Sequence, residues 1–291
     1  MNTWHVLLIV FIIFILILAG RVVYELYNPE IRRYSVKTKK LTVNERMRIV
    51  YLSDLHSWKY DENNIRLIKM VSNTKPDFIL LGGDMITKSF LKNRDEITLK
   101  TLSGLSNIAP VFYAPGNHEK KISLSSKEKE RFEDYLFELE CMDIAYLADQ
   151  SAVLSEAVNL YGLDIDPEYY KKAGKKPRFT LGYMYEKIGR PDKNKFNILM
   201  AHTPEFFDTY IKGNYDLVLC GHYHGGMVIL PKIGPLLSPD LHFLPKHSGG
   251  AYKKAGTVVI VSRGIGSHFI NLRLFNRPEV VVIDVKSEQE G

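Results

Sequence analysis

Five short apolar runs along this chain each lead into residue types that bind metal ions. The runs are 49–52 before Asp54 and His56, 78–81 before Asp84, 111–114 before Asn117 and His118, 198–201 before His202, and 217–220 before His222 and His224. Apolar runs of this length, bounded by Gly, Pro and Asp, are typical of buried strands. In open α/β sheets, ligands bind beyond the carboxyl ends of such strands. The pattern therefore predicts one sheet edge at which all these side chains meet.

The charge distribution argues against a nucleic-acid partner. The chain has 291 residues, 45% of them hydrophobic and 25% charged, as in a globular protein. Its net charge of +6 comes from residues 1–50, where eight Lys and Arg accompany three acidic residues, which leaves 31 basic and 30 acidic residues for 51–291. The main domain is thus nearly neutral, whereas a nucleic-acid binder carries a basic face.

The N-terminus predicts a membrane anchor. Residues 6–19 are an unbroken run of Val, Leu, Ile, Phe and Ala, and the first charged residue is Arg21. A helix from Trp4 to Tyr24 is about 30 Å long and matches a hydrocarbon core with an aromatic residue at each interface. Because residues 1–5 contain no Lys or Arg and no A-x-A site follows, we expect an uncleaved anchor over 1–24 rather than a removed signal peptide.

The segment after this anchor is polar and basic. We predict a juxtamembrane linker over 25–46 and one folded domain over 47–285. Six Lys and Arg lie between Arg21 and Lys40, and none precedes the apolar segment. We therefore expect a single-pass protein of the cell membrane. The positive-inside rule predicts that its domain lies in the cytoplasm, and export of the domain is the alternative.

Strand and helix patterns alternate through the first half of the domain, and the second half is richer in strands. Predicted strands fall at 48–53, 77–81, 110–114, 157–163, 196–201, 216–220, 257–262 and 280–285, and predicted helices at 65–71, 97–105, 126–139 and after Pro204. Alternation of this kind indicates layered α/β structure. Two packed sheets flanked by helices would fit the distribution.

Seven side chains at the strand ends are candidate metal ligands: Asp54, His56, Asp84, Asn117, His202, His222 and His224. Asp54 and His56 are two residues apart, so an extended chain points both to one face, and the same holds for the last two histidines. Seven ligands are too many for one tetrahedral ion but suit two divalent ions that share Asp84. Two ions about 3.5 to 4 Å apart can clamp the oxygens of a phosphoryl group.

The composition of this ligand set bears on the metal. It combines imidazole with oxygen ligands and has no thiolate, which favours Mn, Fe, Zn or Co over Mg or Ca, with Mn preferred. Any one of these residues could instead be structural, for example a helix cap. Five of the nine histidines in the chain, however, fall at or just beyond the predicted strand ends.

The same blocks carry a family resemblance. Asp54-Leu55-His56, Gly83-Asp84, Gly116-Asn117-His118-Glu119, Ala201-His202 and Gly221-His222-Tyr223-His224 resemble, in this order, the signature blocks of calcineurin-like metallophosphoesterases. The resemblance covers about residues 47–285 and implies a four-layer α/β/β/α sandwich. It also implies a first metal held by Asp54, His56, Asp84 and His224, and a second held by Asp84, Asn117, His202 and His222.

Two further residues of these blocks have expected roles, and the first of these roles is implied by the resemblance. His118 would be the catalytic residue, outside the metal ligands, that donates a proton to the leaving oxygen or stabilises charge there. Glu119 is expected to fix its loop by hydrogen bonding. Because Asp84 is followed by Met85-Ile86-Thr87 rather than by the x-x-D-R-G of phosphoprotein phosphatases, protein phosphatase activity is not expected.

The anchor and the segment 262–280 resemble a membrane-associated bacterial branch of the family, which includes a UDP-glycolipid pyrophosphatase. The expected function is hydrolysis of a phosphodiester or pyrophosphate bond, with a lipid-linked substrate such as a UDP-glycolipid. This substrate is expected because the anchor keeps the site near the bilayer, the basic 32–48 segment can be attracted to anionic headgroups, and the apolar 230–244 loop could form the floor of an acyl-chain groove. The bilayer itself is the other expected partner. The alternatives are a metal-binding scaffold without turnover and a nucleotide phosphodiesterase or phosphomonoesterase. The sequence leaves the oligomeric state open.

Overall fold

The computed structural model describes residues 2–87, 95–171, 176–230, 233–237, 243–267 and 271–288. The helices in these ranges are α1 (Thr3–Tyr27), α2 (Ile65–Ser72), α3 (Asp95–Ser106), α4 (Asn117–Ser123), α5 (Lys129–Cys141), α6 (Leu181–Ile188) and α7 (Phe207–Lys212). Short 3₁₀ turns lie at Glu62–Asn64, Pro167–Tyr170 and Pro204–Phe206. The strands are β1 (Glu30–Thr38), β2 (Arg46–Leu52), β3 (Phe78–Leu81), β4 (Val111–Tyr113), β5 (Ala145–Tyr146), β6 (Gln150–Ser155), β7 (Val158–Leu163), β8 (Phe196–Ala201), β9 (Leu217–Cys220), β10 (Val228–Leu230), β11 (Gly234–Leu237), β12 (Gly250–Lys254), β13 (Thr257–Val261) and β14 (Glu279–Ser287).

Two six-stranded sheets and one small hairpin contain these strands. The first sheet has the order β1-β14-β2-β3-β4-β5, the second has the order β12-β13-β9-β8-β7-β6, and β10 pairs with β11. Strands β2, β3 and β4 are parallel in the first sheet, as are β8 and β9 in the second. Parallel strands end at the same edge of a sheet, so the polar residues that follow them gather on one side of the molecule.

Three apolar cores separate four layers. Alternate residues of β2 point to opposite faces: Ile49 and Tyr51 pack between the two sheets, whereas Val50 and Leu52 pack under α2, α3 and α5. In β8, Met200 faces the first sheet and Leu199 faces α6 and α7. The predicted four-layer α/β/β/α sandwich is therefore confirmed.

The predicted buried strands and the helices α2, α3, α5 and α7 all occur, with ends shifted by a few residues. The elements that the sequence reasoning missed are α4, α6 and strands such as β6 and β12, which lie at sheet edges. The side chains of β6 are exposed or half-buried, so its sequence lacks an apolar run. Strand prediction from apolar runs detects buried strands better than edge strands for this reason.

The prediction of a linker over 25–46 was wrong. Residues Glu30–Thr38 form β1, an edge strand that pairs in parallel with β14 from Glu30↔Glu279 to Thr38↔Ser287. Only Asn28 and Pro29 lie between the end of α1 and the start of β1. The strand carries basic residues on its exposed positions, as edge strands commonly do, and this made the segment look like a linker. The folded domain thus begins at Glu30, not at residue 47.

The helix α1 is long and apolar enough to cross a membrane, with a mean hydropathy of 3.2 over its most apolar window. That window is not buried against the rest of the described protein. A signal sequence would have the same length and composition. The anchor therefore stays a prediction at this point.

Candidate metal centre

All seven predicted ligands and His118 lie together at the edge where the parallel strands of both sheets end. Potential ligand atoms form three groups, and within each group the atoms lie within 4.8 Å of one another. The groups are Asp54, His56 and His224; His56, Asp84 and His118; and Asp84, His202 and His222. Asn117 contacts two members of the third group, Asp84 and His222. Each residue follows a buried strand, as the sequence predicts, and Asn117 and His118 lie in the first turn of α4.

Five of these residues have a left-handed backbone. The φ angles are 57° at Asp54, 50° at His56, 53° at Asp84, 69° at His222 and 50° at His224. Non-glycine residues rarely adopt such angles, although Asp and His tolerate them better than most. Each costs roughly 1 to 3 kcal/mol, and such residues cluster at functional sites. The expectation that these residue pairs lie in an extended chain was therefore wrong. The left-handed residues instead turn the chain sharply after β2, β3 and β9 and concentrate these side chains in one place.

The first cluster of ligand atoms contains two stacked imidazole rings. His56 Nε2 lies 3.1 Å from His224 Nε2, and Asp54 Oδ1 lies 3.5 Å from the latter atom and 4.0 Å from the former. Asp84 Oδ2 is 3.8 Å from His56 Nε2. Two ligands of one ion, each about 2.1 Å from it, lie about 3.0 to 3.4 Å apart. The four atoms are thus close to the spacing that a shared cation requires.

The second cluster contains an amide whose orientation fits a cation. Asp84 Oδ2 lies 3.1 Å from His202 Nε2. The side-chain oxygen of Asn117 faces only acceptors, at 3.3 Å from Asp84 Oδ2 and 2.9 Å from His222 Nδ1, while its nitrogen faces Lys121 Nζ at 3.2 Å. Without a cation the amide would have to be turned over to form hydrogen bonds. With a cation between the three ligand atoms, the present orientation is the favourable one.

Asp84 belongs to both clusters through one oxygen atom. Its Oδ2 faces His56 and His202, whereas its Oδ1 accepts a hydrogen bond of 2.8 Å from the backbone N–H of His118. The sequence reasoning expected a carboxylate bridge, and the geometry identifies the oxygen that could form it. The other oxygen instead fixes the carboxylate to the first turn of α4.

The electrostatics of the site favour bound positive charge. Burial lowers the pKa of His202, but Asp84 and Asp54 beside it raise it to about 10. Burial likewise opposes ionisation of Asp84, but His202 and His118 hold its pKa well below the usual value. His202 Nδ1 donates to the Gly82 carbonyl at 2.7 Å, which leaves Nε2 directed at the carboxylates. Metal-bound histidines are usually oriented in this way, and a metal ion would replace the proton on Nε2.

Glu119 holds the loop that follows β3. Its carboxylate is fully buried and accepts from the backbone N–H groups of Asp84 and Gly116 through Oε2, at 2.8 and 2.9 Å. Through Oε1 it accepts from the N–H groups of Met85 and Ile86, at 2.8 and 3.2 Å. The expected loop-fixing role is thus confirmed. Burial and the nearby Asp84 raise the pKa of Glu119 to about 7.

His118 lies at the start of α4 beside the first cluster. Its ring meets that of His56 edge-on, with centroids 5.0 Å apart, and its Nδ1 lies 3.2 Å from Thr87 Oγ1. The residue is half-buried, so part of it is exposed to solvent. These distances are compatible with a ligand and with a proton donor, and its catalytic role stays a prediction.

The sequence reasoning missed several residues around the cluster. The ring of Tyr170 lies edge-on to His222 at 5.4 Å. The buried Arg273 places Nη2 3.3 Å from His224 Nδ1, and Asn276 donates to the His224 carbonyl at 2.8 Å. None of them follows an apolar run. The only available signal was that Arg273 and Asn276 lie in the segment 262–280, which the resemblance singled out.

Comparisons with known proteins agree with this site. The sequence profile of the calcineurin-like phosphoesterase family matches residues 47–226. An uncharacterized metallophosphoesterase of Aquifex aeolicus is 27% identical over 94% of this chain and 99% of its own length. The phosphodiesterase YaeI of Escherichia coli is 26% identical over 82% of each chain. The uncharacterized metallophosphoesterase YkuE of Bacillus subtilis is 26% identical over 82% of this chain and 79% of its own length.

The family match covers more than half of the chain and includes every strand end that contributes to the cluster. The fold, the imidazole and carboxylate groups and the relatives all lead to the same chemistry. The chain belongs to the calcineurin-like phosphoesterases and is a metal-dependent phosphoric ester hydrolase.

Proposed function

We propose that this protein is a membrane-anchored, dinuclear hydrolase that cleaves a phosphodiester or pyrophosphate bond in a lipid-linked substrate. The observation that carries the dinuclear assignment is the position of Asp84 Oδ2, which faces both ligand clusters. The first ion would be held by Asp54, His56, Asp84 and His224, and the second by Asp84, Asn117, His202 and His222. Bound there, two divalent ions, for which the mixed ligands favour Mn, supply a water of lowered pKa and positive charge for the phosphoryl oxygens.

In this proposal His118 moves a proton. Thr87 Oγ1 contacts Nδ1 of the ring at 3.2 Å and restricts its rotation. The backbone N–H of His118 is bonded to Asp84 Oδ1, so the residue is tied to the carboxylate shared by both clusters. A histidine at this position can donate a proton to the leaving oxygen, because its ordinary pKa lies near neutrality. Glu119 fixes the loop on which this geometry depends.

Retention of α1 as a membrane anchor is supported by its last turn. Glu25 and Leu26 are buried against the folded domain, and β1 follows after two residues. Removal of α1 as a signal peptide would strip buried side chains from the domain. The preceding apolar residues of the helix are exposed, as a membrane span requires. The cytoplasmic side is proposed on the positive-inside rule alone.

The basic segment after α1 offers fewer free charges to a membrane than its sequence suggests. Arg32 pairs with Glu30 and Glu279, and Lys40 pairs with Asp216. The exposed basic residues of this segment include Arg33, Lys37 and Lys39. These three remain the candidates for contact with anionic headgroups.

The lipid-linked substrate is supported by a groove beside the metal cluster. The groove has a volume of about 500 Å³. Its apolar lining includes Phe207, Phe243 and Leu244 and also Tyr223, which lies between two candidate ligands in the sequence, and its polar lining includes Glu205, Asp208 and Lys246. Phe243 is 69% exposed and Leu244 is 48% exposed, so both offer apolar surface to a substrate. Within the predicted apolar loop 230–244, residues 234–237 form the hairpin strand β11, and residues 231–232 and 238–242 lie outside the described residues. The relative in Escherichia coli that is named a phosphodiesterase supports diester chemistry.

The test uses the full chain in detergent micelles or nanodiscs with added Mn²⁺. We would compare kcat/KM for a UDP-linked glycolipid with that for its water-soluble headgroup analogue, in the wild type and in Phe243→Ser/Leu244→Ser. A matched control is Val153→Ser, because Val153 is 66% exposed and lies on the edge strand β6.

We expect the wild type to prefer the glycolipid and the double variant to lose that preference, with little change on the soluble analogue. The control should behave as the wild type. Equal efficiency on both substrates, unaffected by the double change, would contradict the lipid assignment. Binding of Mn²⁺ without hydrolysis of either substrate or of bis-p-nitrophenyl phosphate would favour the scaffold alternative.

A further inference from the structure

The helix α1 ends in a buried carboxylate. Glu25 is fully buried. Charged residues are almost never fully buried unless a charged or hydrogen-bonding partner pairs with them. Its Oε1 accepts from Arg21 Nε at 2.6 Å, and its Oε2 accepts from the backbone N–H of Asn276 at 2.7 Å. The carboxylate thus connects the end of the apolar helix to a segment that is 251 residues away in sequence.

Asn276 continues this connection to the metal cluster. Its side-chain NH₂ group donates to the carbonyl of His224 at 2.8 Å and also to the carbonyl of Gly226. Gly225 and Gly226 have φ angles of 72° and 86°. Glycine has little conformational preference of its own, so this stretch depends on outside contacts to hold one shape. Asn276 supplies two such contacts directly after a candidate ligand.

Further contacts hold the same end of α1 in place. Arg277 donates to the carbonyls of Asn28 and Pro29 at 2.8 and 3.1 Å. The guanidinium of Arg21 lies 5.7 Å from the centroid of the Phe275 ring. Phe275 and Arg277, on either side of Asn276, therefore also contact the end of α1 or the two residues after it. Together these contacts attach the helix to this segment.

We propose that Glu25 is a positioning residue that couples α1 to the metal-binding loop 222–226, and this proposal rests on the metal centre proposed above. The contact runs from Glu25 to the backbone of Asn276, and from the side chain of Asn276 to the carbonyl of His224. Full metal affinity then requires the specific contact between Glu25 and Asn276, and not merely a helix that lies against the domain. The helix is a structural component of the metal centre as well as an anchor.

The experiment measures Mn²⁺ affinity of the full chain in detergent, from free Mn²⁺ in electron paramagnetic resonance titrations without substrate. Glu25→Ala removes the acceptor for the Asn276 backbone N–H, whereas Glu25→Gln keeps an oxygen that can accept it. Asn276→Asp keeps the size of the side chain but removes both donors to the loop. The matched control is Glu30→Gln, since Glu30 pairs with Arg32 and Arg277 near the end of the same helix and outside this connection.

We expect Glu25→Ala and Asn276→Asp to bind Mn²⁺ about 10- to 100-fold more weakly, the range for residues that orient metal ligands. Glu25→Gln should recover most of the affinity, and Glu30→Gln should match the wild type. Excess Mn²⁺ should restore hydrolysis of bis-p-nitrophenyl phosphate by Glu25→Ala, because the ligands themselves are intact.

Wild-type Mn²⁺ affinity in Asn276→Asp would overturn the proposal, and this variant decides the matter if Glu25→Ala does not fold. A loss of affinity in Glu30→Gln equal to that in Glu25→Ala would also overturn it, because the effect would then follow from loosened docking in general. The readout needs no substrate, so a wrong substrate assignment would leave this result unaffected.

Discussion

Replacement of Glu119 with Gln should destabilise the protein strongly, although it changes the side chain by one atom. Both carboxylate oxygens are acceptors in a fully buried position. On one side lie the N–H groups of Asp84 and Gly116, at 2.8 and 2.9 Å. On the other lie those of Met85 and Ile86, at 2.8 and 3.2 Å. The NH₂ group of Gln would face two backbone donors in either orientation.

The magnitude follows from these contacts. The hydroxyl of Tyr113 also donates to Oε1, at 2.6 Å, but it can rotate to accept from an amide. Two buried backbone N–H groups would still lose their acceptor, at about 1 to 3 kcal/mol each. The expected loss is about 2 to 6 kcal/mol, a large part of the roughly 5 to 15 kcal/mol that stabilises a typical domain. At about 2 to 4 °C per kcal/mol, the unfolding midpoint should fall by at least roughly 4 °C.

The assay is thermal unfolding of the full chain in detergent, followed by circular dichroism and carried out above pH 7, the approximate pKa of Glu119, so that the wild-type carboxylate is ionised. The matched control is Glu133→Gln, because the Glu133 side chain is 63% exposed and pairs with Lys129 at 3.6 Å. Exposed pairs contribute little, so the control should remain within about 0.5 kcal/mol of the wild type. An unchanged midpoint for Glu119→Gln would refute the assignment of these hydrogen bonds as a support of the loop.

Four further outcomes are expected. Asp84→Ala should remove both ions, because one oxygen faces both clusters, and mass spectrometry that still finds two ions per chain would count against the shared ligand. His118→Ala should keep its metal and lose about 10² to 10⁴ in kcat, the range for a lost general acid; loss of metal would instead place His118 among the ligands. A fragment that starts at residue 44 lacks β1 and leaves β14 as an uncovered sheet edge. We expect it to aggregate in size-exclusion chromatography or to unfold at a lower temperature than the full chain. A monomeric fragment with an unchanged unfolding temperature would contradict this. Cys141 is exposed and Cys220 is buried. If the domain lies in the cytoplasm, an impermeant maleimide should label Cys141 only after the cells are permeabilised, and the Cys141→Ser variant should stay unlabelled. Labelling of Cys141 in intact cells would reverse the proposed orientation.

The sequence by itself determined the layered core and the composition of the metal cluster. Buried strands such as β2 and β8 are apolar on both faces, and this is a local property that can be read without the fold. The ligands follow those strands directly, so their convergence could be predicted from the shared direction of parallel strands. The left-handed φ angles of Asp54 and Asp84 were not predictable, because Asp adopts several backbone conformations and the surrounding loop selects one.

Only the tertiary structure decided how the N-terminal part joins the domain and which atoms face the metal cluster. The alternate exposed positions of β1 include the charged residues Arg33 and Lys37. An edge strand shares such exposed charges with a solvated linker, so pairing with β14 alone distinguishes the two. The contact between Glu25 and Asn276 joins residues 251 positions apart, and no local pattern records such a contact. The proposed sharing of Asp84 Oδ2 depends on the hydrogen bond from the backbone N–H of His118 to Oδ1, which exists only once the start of α4 lies beside the loop after β3.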